Sequence, residues 1–141
     1  MSKIAVVYWS GTGNTQSMAE IIEQGASGTG AEVKLYTAAE FSPALMDEYD
    51  AIAFGCPSMG AEVLEESEFE PMFSACKAKL SGKKIALFGS YGWGDGEWMR
   101  NWSGDCEAAG AVMTCDFVIC NDGPDEAAGV ACKALGEALA K

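Results

Sequence analysis

Residues 3–15 read KIAVVYWSGTGNT, and this stretch decides the fold. It begins with a short, nearly continuous apolar run rich in β-branched residues, which is typical of a strand buried on both faces of a parallel sheet. The small, hydroxylated and amide-bearing residues that follow predict a tight loop that opens a helix near Gly13. Such a loop directs several backbone N–H groups toward one point beside the positive end of the helix dipole. We therefore predict that this loop binds a phosphate group.

The loop differs from two other phosphate-binding loops at single positions. A nucleotide-triphosphatase loop has a lysine before its Ser or Thr, and here that position is Asn14. A dinucleotide-binding loop has a third glycine, and here that position is Gln16, which disfavours NAD. An ordinary strand-to-helix connection without a ligand is the remaining alternative. The candidate phosphate ligands are all uncharged: Ser10, Gly11, Thr12, Gly13, Asn14 and Thr15.

The composition indicates one compact domain. With 141 residues, 49% of them hydrophobic, and 17 glycines, the chain suits a single turn-rich domain spanning residues 1–141. No apolar run approaches the roughly 20 residues of a membrane helix. The first residues, Met1-Ser2-Lys3, lead into a strand rather than into a signal sequence. We therefore expect a cytoplasmic monomer that does not bind a membrane.

The charge and the reactive residues argue against several functions. A net charge of −12 disfavours nucleic acid as a partner and favours a basic protein surface, although solubility alone also explains it. The chain has no histidine, so it lacks the usual general base of serine and cysteine hydrolases and the commonest metal ligand. Its six cysteines form no C-x-x-C pair, which argues against a zinc or iron–sulfur site and favours reduced thiols.

Five apolar runs alternate with helical patterns along the chain. This alternation, with its short connections, predicts a doubly wound α/β fold: a five-stranded parallel sheet with helices on both faces and right-handed crossovers. Residues 37–49 have only a weak helical pattern, enough for one short turn. The predicted strands cover residues 3–8, 32–36, 50–55, 83–89 and 111–119, and the predicted helices cover about 13–28, 68–80, 95–109 and 124–140.

Two glycine-rich loops follow the third and fourth predicted strands. They read GCPSMGAEVL at 55–64 and GSYGWGDG at 89–96, and each displays one large apolar side chain, Met59 or Trp93. Ligands of a doubly wound sheet bind at the carboxyl ends of its strands, so both side chains are expected near the phosphate loop. Met59 and Trp93 could hold a flat heterocycle between them, although either one alone could equally be a core residue.

In these three loops the chain resembles the flavodoxins, in particular the short-chain flavodoxins of anaerobic bacteria. The similarity is carried by YWSGTGNT at 8–15, GCPSMG at 55–60 and GSYGWG at 89–94, and it spans essentially the whole chain. The resemblance implies a flavodoxin-like fold with strand order 2-1-3-4-5 and a noncovalently bound FMN. It further implies a low-potential electron carrier, not an enzyme, that shuttles single electrons between redox enzymes through a stabilised neutral semiquinone.

The resemblance also assigns roles to individual residues. Ser10, Thr12, Asn14 and Thr15, with the intervening amides, would bind the FMN phosphate, and Ser90 would approach the phosphate or the ribityl chain.

The isoalloxazine ring would lie between Met59 and Trp93, and Glu62 would accept a hydrogen bond from its N3–H. Backbone N–H groups of the two glycine-rich loops would bind its carbonyl edge. Ala61 stands where short-chain flavodoxins often have a polar residue, so only the turn itself is expected to contribute there. The predicted ring site is completed by Pro57, Ser58, Gly60, Ala61, Tyr91, Gly92 and Gly94.

Two features favour single-electron chemistry. A glycine at position 60 lets the Met59–Gly60 peptide reorient its carbonyl toward a protonated flavin N5 at little cost. Nearby acidic residues are expected to disfavour a second electron, because the fully reduced flavin tends to be anionic. Any one of these acids could instead be solvated or cap a helix. They are Glu62, Glu65, Glu66, Glu68 and Glu70 beside the proposed ring, and Asp95, Glu97, Asp122, Asp125 and Glu126 on nearby strand-end loops.

Two other functions that use a similar sheet are less well supported. An FMN-dependent NAD(P)H or quinone reductase would need further segments for its second substrate, and 141 residues leave little room for them. A phosphorylation receiver would need an acidic phospho-acceptor at a strand end, where this chain has Ser10-Gly11-Thr12. The sequence therefore favours an electron carrier.

Overall fold

The computed structural model describes residues 2–11, 13–59, 63–92 and 94–141. All five predicted strand regions and all four predicted helices are present, and their ends differ from the predicted ones by at most three residues. The weak helical pattern over 37–49 corresponds to a 3-10 turn at Ala38–Glu40 and a single helical turn.

In chain order the elements are β1 (Lys3–Tyr8), α1 (Asn14–Ser27), β2 (Glu32–Thr37), α2 (Pro43–Met46), β3 (Ala51–Gly55), α3 (Phe69–Lys77), β4 (Lys84–Tyr91), α4 (Glu97–Ala108), β5 (Val112–Met113), β6 (Val118–Asn121) and α5 (Glu126–Leu139).

The sheet is parallel and has the order β2-β1-β3-β4, with β5 and β6 both paired to β4. The prediction of one continuous fifth strand over 111–119 is therefore wrong in this detail. Between the pairs Ile85–Met113 and Phe88–Val118, β4 advances three residues while the edge strand advances five. The two extra residues bulge out of the ladder, in a segment whose Asp116 has a low preference for strands.

Two apolar layers cover the two faces of the sheet. Alternate residues of β1 point to opposite sides, so Ile4 and Val6 pack against α1 and α5, while Ala5 and Val7 pack against α3 and α4. Among the described residues, no helix has the length and apolarity needed to cross a membrane.

Helices α1 and α5 approach each other closely at two glycines. A Cβ atom at Gly25 would overlap the carbonyl oxygen of Lys133, and one at Gly136 would overlap the carbonyl oxygen of Ile22. The contact therefore requires glycine on both helices. This packing fixes α1, and with it the loop that precedes α1, against the sheet.

Candidate cofactor site

The phosphate loop is held in shape by its own polar groups. Ser10 Oγ accepts a hydrogen bond of 3.0 Å from the backbone N–H of Gly13, and Ser17 Oγ donates one of 3.0 Å to the Gly13 carbonyl. Gly13 caps α1 with a φ of 96°, a left-handed conformation that favours glycine. No side chain of the described residues caps this helix end. The N–H groups of the first turn, beginning at Asn14, are therefore available to an anion.

The predicted residues Thr15 and Ser90 meet behind this loop. Their hydroxyl oxygens lie 3.3 Å apart, and either hydroxyl can be the donor. Both residues are buried, with 1% of Thr15 and 5% of Ser90 exposed. The hydroxyl pair thus connects the start of α1 to the end of β4.

A cavity of about 240 Å³ lies next to the phosphate loop, at the carboxyl ends of β1, β3 and β4. Eight of the predicted site residues line it: Gly11, Asn14, Pro57, Ser58, Met59, Ser90, Tyr91 and Gly92. The predicted residues Ser10, Gly13, Thr15 and Gly94 are described but do not line the cavity. The predictions for Thr12, Gly60, Ala61, Glu62 and Trp93 lie outside the described residues.

Ser58 carries a polar atom that lacks a partner. Its backbone N–H donates a 3.0 Å hydrogen bond to the Ser90 carbonyl, which ties the loop after β3 to the end of β4. Its Oγ is buried and has no hydrogen-bond partner among the described residues. A buried hydroxyl without a partner costs about 1–3 kcal/mol. An orphaned hydroxyl on a residue that lines a cavity fits a site that receives a polar group from a ligand.

Met59 is held by a backbone pair with Val63. The Met59 N–H donates to the Val63 carbonyl at 2.9 Å, and the Val63 N–H donates to the Met59 carbonyl at 3.0 Å. This antiparallel bridge ties Met59, which lines the cavity, to Val63.

Two further residues line the cavity: Trp9, which was not predicted to line it, and Asp122, which was expected only as one of the acids near the ring. Asp122 has a φ of 58°, and its N–H donates a 2.8 Å hydrogen bond to the Tyr91 carbonyl. The sequence Asp-Gly-Pro at 122–124 indicates a turn, in which aspartate tolerates a left-handed backbone. The position of Asp122 beside the cavity depends on how β6 pairs with β4. The sequence of the turn does not predict this pairing.

The base of the Met59 loop is buried and chemically inert. The Trp98 indole N–H donates to the Cys56 carbonyl at 3.2 Å, and the Glu65 N–H donates to Cys56 Sγ at 3.3 Å. Burial raises the pKa of the Cys56 thiol to about 12, so it stays protonated near neutral pH. All six cysteines are free thiols.

The acidic residues near the loop have different roles. The Glu65 carboxylate accepts hydrogen bonds from the Ser67 hydroxyl and from the N–H groups of Ser67, Glu68 and Phe69, so it caps the start of α3. Burial alone would raise the pKa of Glu65, but these hydrogen bonds together lower it to about 2. Glu68 is exposed and accepts a 3.0 Å hydrogen bond from the Trp9 indole.

Known proteins resemble the chain over nearly its full length. A sequence model of the flavodoxin family matches residues 6–134. A flavodoxin from Megasphaera elsdenii is 46% identical over 141 residues, which cover 98% of this chain and 98% of that protein. A flavodoxin from Clostridium beijerinckii is 47% identical over 122 residues, covering 86% of this chain and 88% of that protein.

The structural comparison agrees with the sequence comparison. The solution structure of two-electron-reduced M. elsdenii flavodoxin superposes with a TM-score of 0.89 at 46% identity, covering 97% of this chain and 98% of that one. The structural similarity therefore extends over nearly the whole length of both chains.

Proposed function

The chain belongs to the flavodoxin family of FMN-dependent electron carriers, and on that premise we propose that the phosphate loop and the adjoining cavity hold the FMN. FMN, when bound, supplies a group that accepts and releases electrons one at a time. The observation that carries this proposal is the adjacency of an uncapped helix N-terminus at Asn14 and a cavity lined by Met59 and the orphaned Ser58 hydroxyl.

The phosphate is proposed to bind the residues of the loop before α1. Ser10, Thr12, Asn14 and Thr15 and the neighbouring backbone N–H groups would be its ligands. The conformation of Gly13 and the 3.0 Å bond from its N–H to Ser10 Oγ support this, because they turn the loop into the helix start. A single terminal monophosphate can be held by N–H and hydroxyl donors without a cation.

The flavin ring is proposed to bind between the loops after β3 and β4. Support comes from Met59, Tyr91 and Gly92, which line the cavity, and from the bond between Ser58 N–H and the Ser90 carbonyl that joins the loops. The contributions of the remaining predicted ring residues rest on the family resemblance: Gly60, Ala61, Glu62, Trp93 and Gly94.

We also propose that the protein holds the flavin in a neutral one-electron-reduced state over a wide range of potential. Asp122 supports this, because it is an acidic residue in the lining of the cavity and negative charge disfavours an anionic, fully reduced flavin. The exposed Glu66 and Glu68 add negative charge beside the loop. A Gly60→Ala variant is expected to accumulate less of this state.

The remaining proposals concern the whole chain. Residues 1–141 would form a single domain that acts as a cytoplasmic monomer and docks on basic surfaces of redox proteins, without nucleic-acid partners. The net charge of −12 supports this choice of partner.

A stepwise reductive titration tests the proposed function. The purified chain, reconstituted with FMN, should bind it at one site per chain and show two separated one-electron steps in its absorption spectrum. It should oxidise NAD(P)H only slowly unless a partner reductase is added. Failure to bind FMN, or a single two-electron step with rapid NAD(P)H turnover, would contradict the proposal.

A further inference from the structure

A second and larger cavity is lined in part by the residues that follow the Met59 loop. It is a groove of about 540 Å³ between α3 and α4. Leu64 and Val63 line it, and Val63 is the residue whose backbone pairs with Met59. The groove is therefore continuous with the loop that borders the proposed cofactor site, and its occupant would touch a segment bonded directly to Met59.

The α3 side of the groove is mainly acidic. Glu66 and Glu70 are both exposed, and neither forms an ion pair within the described ranges. Glu66 lies in the turn that precedes α3, and Glu70 lies in the first turn of that helix. The lining cation, Lys77, is seven residues beyond Glu70, roughly 10 Å further along the helix. The end of the groove nearest to Met59 thus has an unneutralised negative charge.

The α4 side supplies an indole that no described residue accepts a hydrogen bond from. Trp102 lines the groove and is 3% exposed, and its Nε1 has no acceptor in the part of the chain that the structure describes. Phe69 and Phe73 pack edge-on to its ring, each with centroids 5.4 Å away, and offer it no acceptor. A buried donor without a partner is destabilising, so an acceptor brought by an occupant of the groove is the group that Trp102 lacks.

We propose that this groove binds an arginine-bearing segment of the redox protein that docks on this carrier. The guanidinium would pair with Glu66 and Glu70, and a backbone carbonyl of the segment would accept from the Trp102 indole. Arginine fits better than lysine, because its planar fork of five N–H donors can bind two neighbouring carboxylates at once. The proposal rests on the proposed function, since an electron carrier has to dock with its partner beside the flavin.

A peptide titration followed by NMR tests this docking site. The probe is acetyl-Arg-Ala-Arg-amide, added to the ¹⁵N-labelled, FMN-loaded protein, with the same peptide carrying citrulline as the neutral analogue. The indole N–H signal of Trp102, identified with a Trp102→Phe variant, and the side-chain amide of Asn101, which also lines the groove, should shift saturably. The citrulline peptide should cause no such shift.

Charge variants test the proposal, because some should weaken peptide binding and another should strengthen it. The double variant Glu66→Gln/Glu70→Gln should bind the arginine peptide about fivefold more weakly, as expected for the loss of two exposed ion pairs. Lys77→Gln should bind it about twofold more tightly, because it removes the repelling charge. The control Glu20→Gln/Glu137→Gln removes the same charge from exposed positions on α1 and α5, and should stay within about twofold of the parent.

Other outcomes would overturn the proposal. These are the absence of shifts in the groove, shifts confined to the flavin loops, or equal weakening by the control pair. FMN affinity is measured on the same samples. Normal FMN binding without a peptide response rejects the groove alone, whereas a parent chain that does not bind FMN rejects the proposed function and the groove with it.

Discussion

Thr15 Oγ1 and Ser90 Oγ lie 3.3 Å apart and join two segments that are 75 residues apart in the chain. Thr15 belongs to the first turn of α1, and Ser90 is near the end of β4. Because Ser90 also accepts the Ser58 N–H through its carbonyl, one residue connects the phosphate loop, the loop after β3 and the sheet. The proposed phosphate and ring sites are thereby held in a fixed relation to each other.

A Thr15→Val variant should weaken FMN binding. Valine keeps the shape of threonine but removes its hydroxyl, so Ser90 loses its partner and the phosphate loses a donor. We expect the dissociation constant for FMN to rise about tenfold, corresponding to about 1.4 kcal/mol. Quenching of flavin fluorescence on binding measures it. Thr29→Val, which removes a hydroxyl at the far end of α1, should bind FMN like the parent, and equal losses in both variants would contradict the assignment.

Ser58→Ala should have opposite effects on the free protein and on FMN binding. Removal of a buried hydroxyl that has no partner should raise the free energy of unfolding of the FMN-free protein by about 1 kcal/mol. If the hydroxyl binds the cofactor, FMN affinity should fall by about threefold to tenfold. Urea unfolding of the FMN-free protein and FMN titration measure the two quantities. Ser27→Ala, at the exposed end of α1, is the control.

The sequence patterns whose predictions are confirmed are local, since each concerns a single strand or helix. Hydrophobic periodicity predicts the strand Lys3–Tyr8 and the buried face of α1 with Met18 and Ile22. Apolar residues form a short continuous run in a buried strand and recur every three or four positions in an amphipathic helix. The pairing of Thr15 with Ser90 follows less directly. Both residues were expected at one edge of the sheet, since the carboxyl ends of parallel strands meet there.

What could not be predicted depends on long-range register. The split of the edge strand around Asp116 is set by how the last strands pair with β4, and so is the contact of Asp122 with the cavity, where it was expected only as one of the nearby acids. The local sequence of neither segment indicates which residues of β4 it pairs with. Similarly, Glu65 lies within a run of acidic residues, and only the folded loop distinguishes it as the cap of α3.

The cap at Glu65 predicts a pH-dependent stability. Its pKa falls from an ordinary value of 4.5 to about 2 in the folded protein, so its contribution is complete above about pH 4.5 and is lost as the pH falls through 2. Glu65→Gln should lower the free energy of unfolding at pH 7 by about 1–2 kcal/mol, as for the loss of a helix cap. The difference from the parent should shrink as the pH falls from 4.5 toward 2. Urea unfolding across this range measures it, and Glu107→Gln, at an exposed position of α4, should follow the parent at every pH.

The close contact between α1 and α5 predicts different responses from two glycines of the same helix. Gly136→Ala should lower the free energy of unfolding by more than about 2 kcal/mol, because its Cβ would overlap the Ile22 carbonyl and force the helices apart. Gly129→Ala should leave stability unchanged or raise it by up to about 1 kcal/mol, because alanine favours a helix and the nearest atom to its Cβ, Ile21 Cδ1, is 3.9 Å away. Thermal and urea unfolding of the two variants compare them directly. Similar losses at both positions would show that α5 tolerates no added methyl group, and would contradict the assignment of the contact to Gly25 and Gly136.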